Sequence, residues 1–335
     1  MKRDKGKVLL LFTGGTIAMK KGLDDSLDVT DMLIEEHPEF SNIIESVQDR
    51  AIVDIEFLFN IDSTNVDVEC WQKIGKTIYE KYDDYDGFVV SHGTDTLAYS
   101  ASAISFMLQG IGKPVVFTGA QLSLKNVYTD GTNNLINSIL LAANYDIGEV
   151  CILFGTQIIR GTRGRKISAF DLQAFTSINS EPLGTIGLFF KLSKNVMWRK
   201  DILGINYRDQ FDSNVVYVKA HPGLDSKMFK NMTADARGVV IAGYGAGNVP
   251  ERLLPDIFEV VEKDVPVVVC TQCLVGKIEL KMYKVGSSLE KMGIISAYDM
   301  TPEAATVKLM WCLGQTDNLD VIRSYFSRDL VGELS

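Results

Sequence analysis

Residues 7–12, KVLLLF, form an apolar run without alternation, as expected of a strand buried on both faces. The stretch 22–30 is polar and aspartate-rich and reads as a loop, and the mixed segment 30–46 reads as a helix. A second strand is predicted over 51–59, ending in a loop at 60–65. Residues 68–81 place Trp71, Ile74 and Ile78 on one face at helical spacing. Strands follow at 86–91, 114–118 and 150–154, separated by apolar helices at 96–108 and 132–143. Strand, loop and helix repeated in this way predict a mostly parallel sheet with helices on both faces.

The rhythm weakens after residue 156. Residues 156–210 mix arginine, lysine and serine with short apolar pieces, and part of this stretch is expected to connect two domains. From 214 the pattern resumes, with strands VVYVKA, GVVIAGY, VPVVVC and GIISAY and helices near 250–263, 302–313 and 317–326. The expected fold class is α/β with two domains: a larger N-terminal domain over 1–195, a connection over 196–213, and a smaller C-terminal domain over 214–335. A chain of 335 residues is long enough for two such cores.

Composition narrows the function classes. The chain is 46% hydrophobic and 23% charged, with a net charge of −9 and no basic patch of useful length, which argues against a nucleic-acid partner. No stretch reaches the roughly 18 apolar residues of a membrane span. The start MKRDKGKVLLLF lacks the longer apolar region and cleavage site of a secretory signal, so the expected location is the cytoplasm. The five cysteines are Cys70, Cys151, Cys270, Cys273 and Cys312, an odd number in a long chain and no disulfide scaffold. Cys270 and Cys273 form a CxxC that ends a strand rather than opening a helix, with no further ligands nearby. No metal site is expected there. Inert, buried or half-buried thiols are the favoured reading, with a regulatory or ligand-contact role as the alternative.

Two hydroxyl-rich segments stand beyond strand ends, where open parallel sheets bind ligands. The first is Thr13-Gly14-Gly15-Thr16-Ile17, whose glycines permit a tight turn and close approach of a ligand. It matches neither the dinucleotide fingerprint nor the phosphate loop, and alone it is equally well a structural turn. The second, Ser91-His92-Gly93-Thr94-Asp95-Thr96, puts six small or polar residues beside a core strand, where they need hydrogen-bond partners. Asp95 or Thr94 is expected to cap the helix that begins near 96, a role compatible with chemistry. The helix start also offers N–H groups for a carboxylate or an oxyanion. Asp62-Ser63-Thr64-Asn65 is either an ordinary turn or a contact for a small polar ligand. Lys166, in RGTRGRK, is a solvated basic residue, a phosphate contact, or a base able to activate a threonine hydroxyl. The three histidines, His37, His92 and His221, lack metal-ligand spacing, and no GxSxG elbow is present. His92 reads as structural support rather than as a base, because neighbours along a strand point to opposite faces.

In this order and spacing the segments resemble the bacterial-type L-asparaginases, and among them the cytoplasmic, type I branch. The resemblance rests on Thr13-Gly14-Gly15-Thr16-Ile17-Ala18, on the run from Gly87 to Tyr99, on Asp62-Ser63, on Gly119-Ala120-Gln121 and Asp130-Gly131, on Lys166 ahead of Ala174-Phe175, and on the turn Tyr244-Gly245-Ala246-Gly247-Asn248. It runs from about residue 7 to beyond 310. It implies hydrolysis of L-asparagine to L-aspartate and ammonia through a β-aspartyl ester, with no metal or organic cofactor. Thr16 is then the nucleophile, and Thr94, Asp95 and Lys166 form a second catalytic group. Asp62, Ser63, Thr94, Asp95 and Ala120 would bind substrate, Ser63 through the α-carboxylate and Asp95 through the α-ammonium. Backbone N–H groups near Thr94 and Ala120 would form the oxyanion site. Asn248 would enter from the second domain of a partner in a homodimer or homotetramer.

Two departures from the family pattern stand out. The tyrosine that usually helps activate the first threonine is absent: residues 17–40 contain none, and the next after Thr16 is Tyr79. The loop over 22–28 is still expected to act as a lid. Some type I enzymes resemble tetramers activated by asparagine at a second site. Thr271 and Cys273 match that site, but Ala242-Gly243 precede Tyr244 where an arginine is expected, which would weaken the grip on a carboxylate. Three alternatives follow. Broader use of glutamine differs by one methylene, worth only about 1–3 kcal/mol of discrimination. An amidotransferase subunit would be expected to carry a further N-terminal domain, whereas the first strand here begins at about residue 7. A non-catalytic amino-acid-binding protein would release no ammonia.

Overall fold

The computed structural model describes residues 5–18, 20, 21, 27, 28, 38–202, 204–282 and 284–335. The chain divides into two compact units, Met1–Ser177 with Glu181–Arg208, and Ile178–Ser180 with Asp209–Ser335.

The first unit is built on β1 (Gly6–Gly14), β2 (Ala51–Ile61), β3 (Gly87–Ser91), β4 (Val115–Thr118) and β5 (Val150–Phe154), all parallel, in the spatial order β2-β1-β3-β4-β5. The sheet does not stop there. β6 (Gln157–Arg160) turns back antiparallel to β5. After a separate hairpin of β7 (Gly164–Lys166) and β8 (Phe175–Ser177), β9 (Gly184–Ile186) and β10 (Phe190–Leu192) add two more antiparallel strands. Five of the eight strands are therefore parallel, and the stretch read as irregular after residue 156 supplies the rest. Strands of three or four residues are too short to declare a period, which hid them in the sequence. Within the expected connection, Asn206–Tyr207 pairs with Leu108–Gln109 of the first unit.

Helices cover both faces. α1 (Pro38–Val47) and α4 (Gly131–Asn144) pack with Val8, Leu10 and Phe12 in one core. The alternate residues Leu9 and Leu11 are equally buried toward the other face, that of α2 (Val68–Glu80) and α3 (Leu97–Met107). α2 starts where Asp67 accepts the Cys70 N–H at 3.0 Å and buries Trp71, Ile74 and Ile78, as the spacing predicts. α3 is buried nearly all round, so its apolar run carries no polar face. α1 begins at Pro38, a residue suited to a first helical turn. The expected start of that helix at 30–37, and residues 22–26 of the expected lid, lie outside the described residues.

In the second unit, β11 (Val215–Lys219), β12 (Gly238–Gly243), β13 (Val267–Thr271) and β14 (Ile295–Ser296) form a parallel sheet in sequential order. The expected helices appear as α6 (Leu254–Val261), α8 (Pro302–Gln315) and α9 (Leu319–Phe326). Two more, α5 (Ser226–Thr233) and α7 (Lys284–Lys291), are eight-residue amphipathic segments that the apolar pattern did not announce. α8 buries Lys308 completely, and its ammonium pairs with the equally buried Glu333 while donating to the Arg328 carbonyl at 3.0 Å. Among the described residues no helix is long and apolar enough to cross a membrane.

Candidate active site

The order β2-β1-β3 makes the chain leave β1 and β3 toward opposite edges of the sheet. Such a switch point opens a crevice beyond the carboxyl ends of the two strands. β1 and β3 are adjacent and in register, Phe12 beside Ser91, so both hydroxyl-rich segments emerge side by side. The Thr13 hydroxyl fixes the junction by donating to the Ser91 carbonyl at 2.8 Å.

Glycine lets the segments touch. Gly14 and Gly15 hold φ of +100° and +88°, the left-handed region that other residues avoid. A Cβ on Gly15 would stand 2.5 Å from the Gly93 backbone, and one on Gly93 would stand 2.6 Å from the Ser63 hydroxyl. The ends of β1, β2 and β3 thus meet at backbone distance. Thr16, half-buried in a single 3-10 turn, follows Gly15 directly, and the next carbonyl, that of Ile17, accepts the Leu124 N–H at 3.1 Å.

Ser63 is buried at the centre of this junction. Its hydroxyl accepts the Asp95 N–H at 3.3 Å, and its carbonyl accepts the Thr96 hydroxyl at 2.7 Å. Asp62 turns back to accept both the N–H and the hydroxyl of Thr64, each at 2.8 Å, and so shapes the turn that presents Ser63. The expected cap on α3 is not made. Thr96 occupies the cap position without a side-chain cap bond, and Thr94 and Asp95 point their polar atoms elsewhere.

They point to Lys166. Its Nζ lies 2.8 Å from Thr94 Oγ1 and 2.7 Å from Asp95 Oδ1. Lys166 ends β7, paired with the buried Phe175 on β8, so a ladder of backbone hydrogen bonds holds the base of a long flexible side chain. Its side chain is 21% exposed against 55% for Asp95: the ammonium is sheltered, while the carboxylate still faces solvent and can meet a cation. A charged lysine donates to both neighbours. Once it loses a proton, it can accept the threonine proton and leave a nucleophilic oxygen. Lys166 is thus engaged by Thr94 and Asp95 rather than extended into solvent.

The end of β4 completes the wall. Ala120 is buried, and the next residue, Gln121, places Oε1 3.4 Å from Thr94 Oγ1 while its Nε2 donates to the Asp171 carbonyl at 3.2 Å. Asp130 gathers this loop by accepting the Gln121 and Leu122 N–H groups at 3.0 Å each. Asn134, one turn into α4, donates to the Gly119 carbonyl at 2.9 Å and accepts the Gly155 N–H at 3.0 Å.

His92 lies fully inside, where burial pushes its imidazole pKa down from 6.5 to about 4. Its ring is the end of a chain. The Trp71 indole N–H donates to Ser100 Oγ at 2.9 Å, Ser100 Oγ lies 2.9 Å from His92 Nε2, and His92 Nδ1 lies 2.7 Å from the Gly93 carbonyl. With both ring nitrogens engaged in this way, it supports the loop from behind, as the strand alternation suggests.

Sequence reasoning named Gln121 and Asp130 only as parts of the family resemblance, with no role for either, and missed Asn134. Asp130 and Asn134 are four residues apart across the start of α4, a spacing that faces one side of a helix, but nothing in the chain says which loop they hold. The remaining expected site residues lie in the second unit. Asn248 closes the turn after β12 through paired backbone bonds with Tyr244 at 2.7 and 2.9 Å. Thr271 is buried, its hydroxyl donating to Gly245 O at 2.6 Å and accepting the Cys273 N–H at 3.0 Å, so an effector would have to compete with these bonds. Cys270 is buried but Cys273 is exposed, against the expectation that both thiols are sheltered. Among the described residues no cluster of three or more His, Cys, Asp or Glu side chains is arranged to hold a metal ion.

Residues 7–200 match the family model "Asparaginase, N-terminal" and residues 214–326 match "Glutaminase/Asparaginase C-terminal domain". The L-asparaginase of Thermococcus kodakarensis is 35% identical over 98% of this chain and 99% of its own length. The solved structure of that enzyme superposes with a TM-score of 0.88 over 98% of this chain and 99% of its own. L-asparaginase I of Vibrio cholerae gives the same TM-score at 33% identity, covering 99% of this chain and 100% of its own. A glutamyl-tRNA(Gln) amidotransferase subunit of Pyrococcus abyssi is 34% identical over 98% of this chain and 77% of its own length. With both domains matched and relatives aligned almost end to end, the chain belongs to the bacterial-type L-asparaginase family and resembles its type I members.

Proposed function

We propose that the protein hydrolyses the side-chain amide of small free amino acids, with L-asparagine as principal substrate and L-glutamine accepted in the same site. The observation that carries this reading is the contact of Lys166 Nζ with both Thr94 Oγ1 and Asp95 Oδ1, at 2.8 and 2.7 Å, beside the turn that presents Thr16. A family whose C-terminal domain is described for both glutaminase and asparaginase supports the breadth. So does the small cost of one methylene, about 1–3 kcal/mol.

In this reading the Asp95 carboxylate holds the α-ammonium, and Ser63, on the turn shaped by Asp62, holds the α-carboxylate. The Thr16 hydroxyl attacks the amide carbon, and the carbonyl oxygen becomes an oxyanion facing the N–H groups of Thr94 and Ala120. Collapse breaks the C–N bond as the proton taken from the Thr16 hydroxyl is passed to the nitrogen, which leaves as ammonia, and an acyl ester remains on Thr16. Water, positioned by Thr94 and deprotonated through Lys166, then cleaves the ester to aspartate and restores the hydroxyl. Asn248 of a partner protomer, in a homodimer or homotetramer, completes the substrate pocket. With no tyrosine in residues 17–40, the Thr16 proton is taken by a group other than a tyrosine of that segment.

The test is steady-state ammonia release from L-asparagine, L-glutamine and D-asparagine by the parent protein, Thr16→Ala and Thr94→Ala. Release from both L-amides, lost in each variant, is expected. Tight amino-acid binding without ammonia would favour a binding protein instead, and full activity in either variant would remove the role given to that threonine.

A further inference from the structure

The two proposed oxyanion donors, Thr94 N–H and Ala120 N–H, belong to the peptides Gly93–Thr94 and Gly119–Ala120. In a trans peptide the carbonyl and the N–H point in opposite directions, so whatever holds the carbonyl aims the N–H. Both carbonyls are held by buried side chains. His92 Nδ1 lies 2.7 Å from the Gly93 oxygen, and Asn134 Nδ2 lies 2.9 Å from the Gly119 oxygen. His92 and Asn134 are each 1% exposed. Among the described residues neither the Thr94 nor the Ala120 N–H has an acceptor of its own.

The tautomer of His92 follows from its chain of partners. The Gly93 carbonyl can only accept, so the 2.7 Å contact puts the ring proton on Nδ1. In the neutral ring Nε2 is then an acceptor, and Ser100 Oγ, which accepts the Trp71 indole N–H, turns its own proton to it. Asn134 is oriented just as firmly, because its Oδ1 accepts the Gly155 N–H while its Nδ2 also reaches Asp130 Oδ2 at 3.2 Å. The two peptides are neighbours: a Cβ on Gly119 would stand 2.3 Å from the His92 carbonyl and 3.5 Å from Thr94 Cγ2. A hydrogen bond accepted by a carbonyl also polarises its peptide and makes the N–H a stronger donor.

We propose that His92 and Asn134 are paired positioning residues, each clamping from behind the peptide whose N–H stabilises the tetrahedral oxyanion. The inference rests on the amidohydrolase reading above. It assigns the buried histidine a part in catalysis without contact with substrate and without proton transfer. A clamp of this kind acts on the transition state, where the charge develops, more than on bound substrate.

The experiment compares His92→Leu, which removes the donor, His92→Asn, whose amide nitrogen can stand near the Nδ1 position, and Asn134→Leu. Removing an oxyanion donor outright costs about 100- to 1000-fold in kcat, so misaiming one is expected to cost about 10- to 100-fold. KM for L-asparagine and affinity for L-aspartate should stay within about twofold, and His92→Asn should recover at least half of the loss on a logarithmic scale. Nitrogen-15 NMR of the parent at pH 7 gives a reading that needs no variant: His92 should carry its proton on Nδ1. A proton on Nε2, an unchanged kcat in folded His92→Leu and Asn134→Leu, or a loss carried by KM overturns the clamp and leaves the ammonia release of the parent untouched. A parent that releases no ammonia from either L-amide sinks the functional reading itself, whatever the tautomer.

Discussion

Replacing Lys166 by arginine and by methionine separates a base from an anchor. Arginine keeps a cation able to bond Thr94 and Asp95 but stays protonated at any working pH. Methionine keeps much of the volume and removes both bonds. If Lys166 is only an anchor, arginine should preserve most of the activity. As the base, it should not be replaceable by either. General-base catalysis contributes about 100- to 10,000-fold, or about 3–5 kcal/mol of barrier. Both variants are therefore expected to lose that much kcat. The stability cost should be small, because the pair is 21% and 55% exposed and such pairs contribute about 0–1 kcal/mol. KM should not rise: with methionine Asp95 loses a competitor for the substrate ammonium and is left freer to bind it, and with arginine the pairing of Asp95 with a cation is kept. Ammonia release over a range of asparagine concentrations, with melting temperature measured alongside, reads all three quantities. Lys166→Arg retaining more than about a tenth of parental kcat would refute the reasoning, as would a loss that follows KM.

Gly15→Ala forces a side chain into φ +88° and against the Gly93 backbone at 2.5 Å, so it should cost at least about 1–3 kcal/mol by denaturant titration and most of the activity. Gly187→Ala, whose Cβ would meet nothing within 4 Å, should stay within about 0.5 kcal/mol, and equal effects would discredit the contact argument. Lys308→Met strands the Glu333 carboxylate, which burial already pushes above its ordinary pKa, and should destabilise by about 3–5 kcal/mol. Adding Glu333→Leu should recover part of that in urea melts; no recovery would contradict the pairing. His92 takes a proton near pH 6.5 when unfolded but only near about 4 when folded, so the unfolded state binds more protons between those values. Stability present above pH 6.5 should fall as the pH drops through that window, by on the order of 3 kcal/mol in all. In His92→Asn that component should vanish, and an unchanged pH slope would show that another group carries it.

The legible parts of the fold were those with a long period. Residues 68–81 announced α2 through Trp71, Ile74 and Ile78, and the unalternating runs announced β1, β3, β4 and β5. β6 to β10 were hidden because three or four residues set no period, and α5 and α7 because two turns of mixed residues resemble a loop. The cap expected of Thr94 or Asp95 failed for a specific reason: a lysine 71 and 72 residues away takes both side chains.

By itself the sequence determined the α/β class, the places of the two hydroxyl-rich segments at strand ends, and the family those segments resemble. These are local properties, fixed by hydrophobic period, glycine and residue order. Only the tertiary structure decided the order β2-β1-β3, which puts Gly15 against Gly93 and Gly93 against Ser63. It alone showed Lys166 sheltered between Thr94 and Asp95, and the buried His92 and Asn134 holding the Gly93 and Gly119 carbonyls. Strand order and burial depend on contacts between residues far apart in the chain. No local pattern specifies those contacts, and at this site they determine where each hydrogen bond goes.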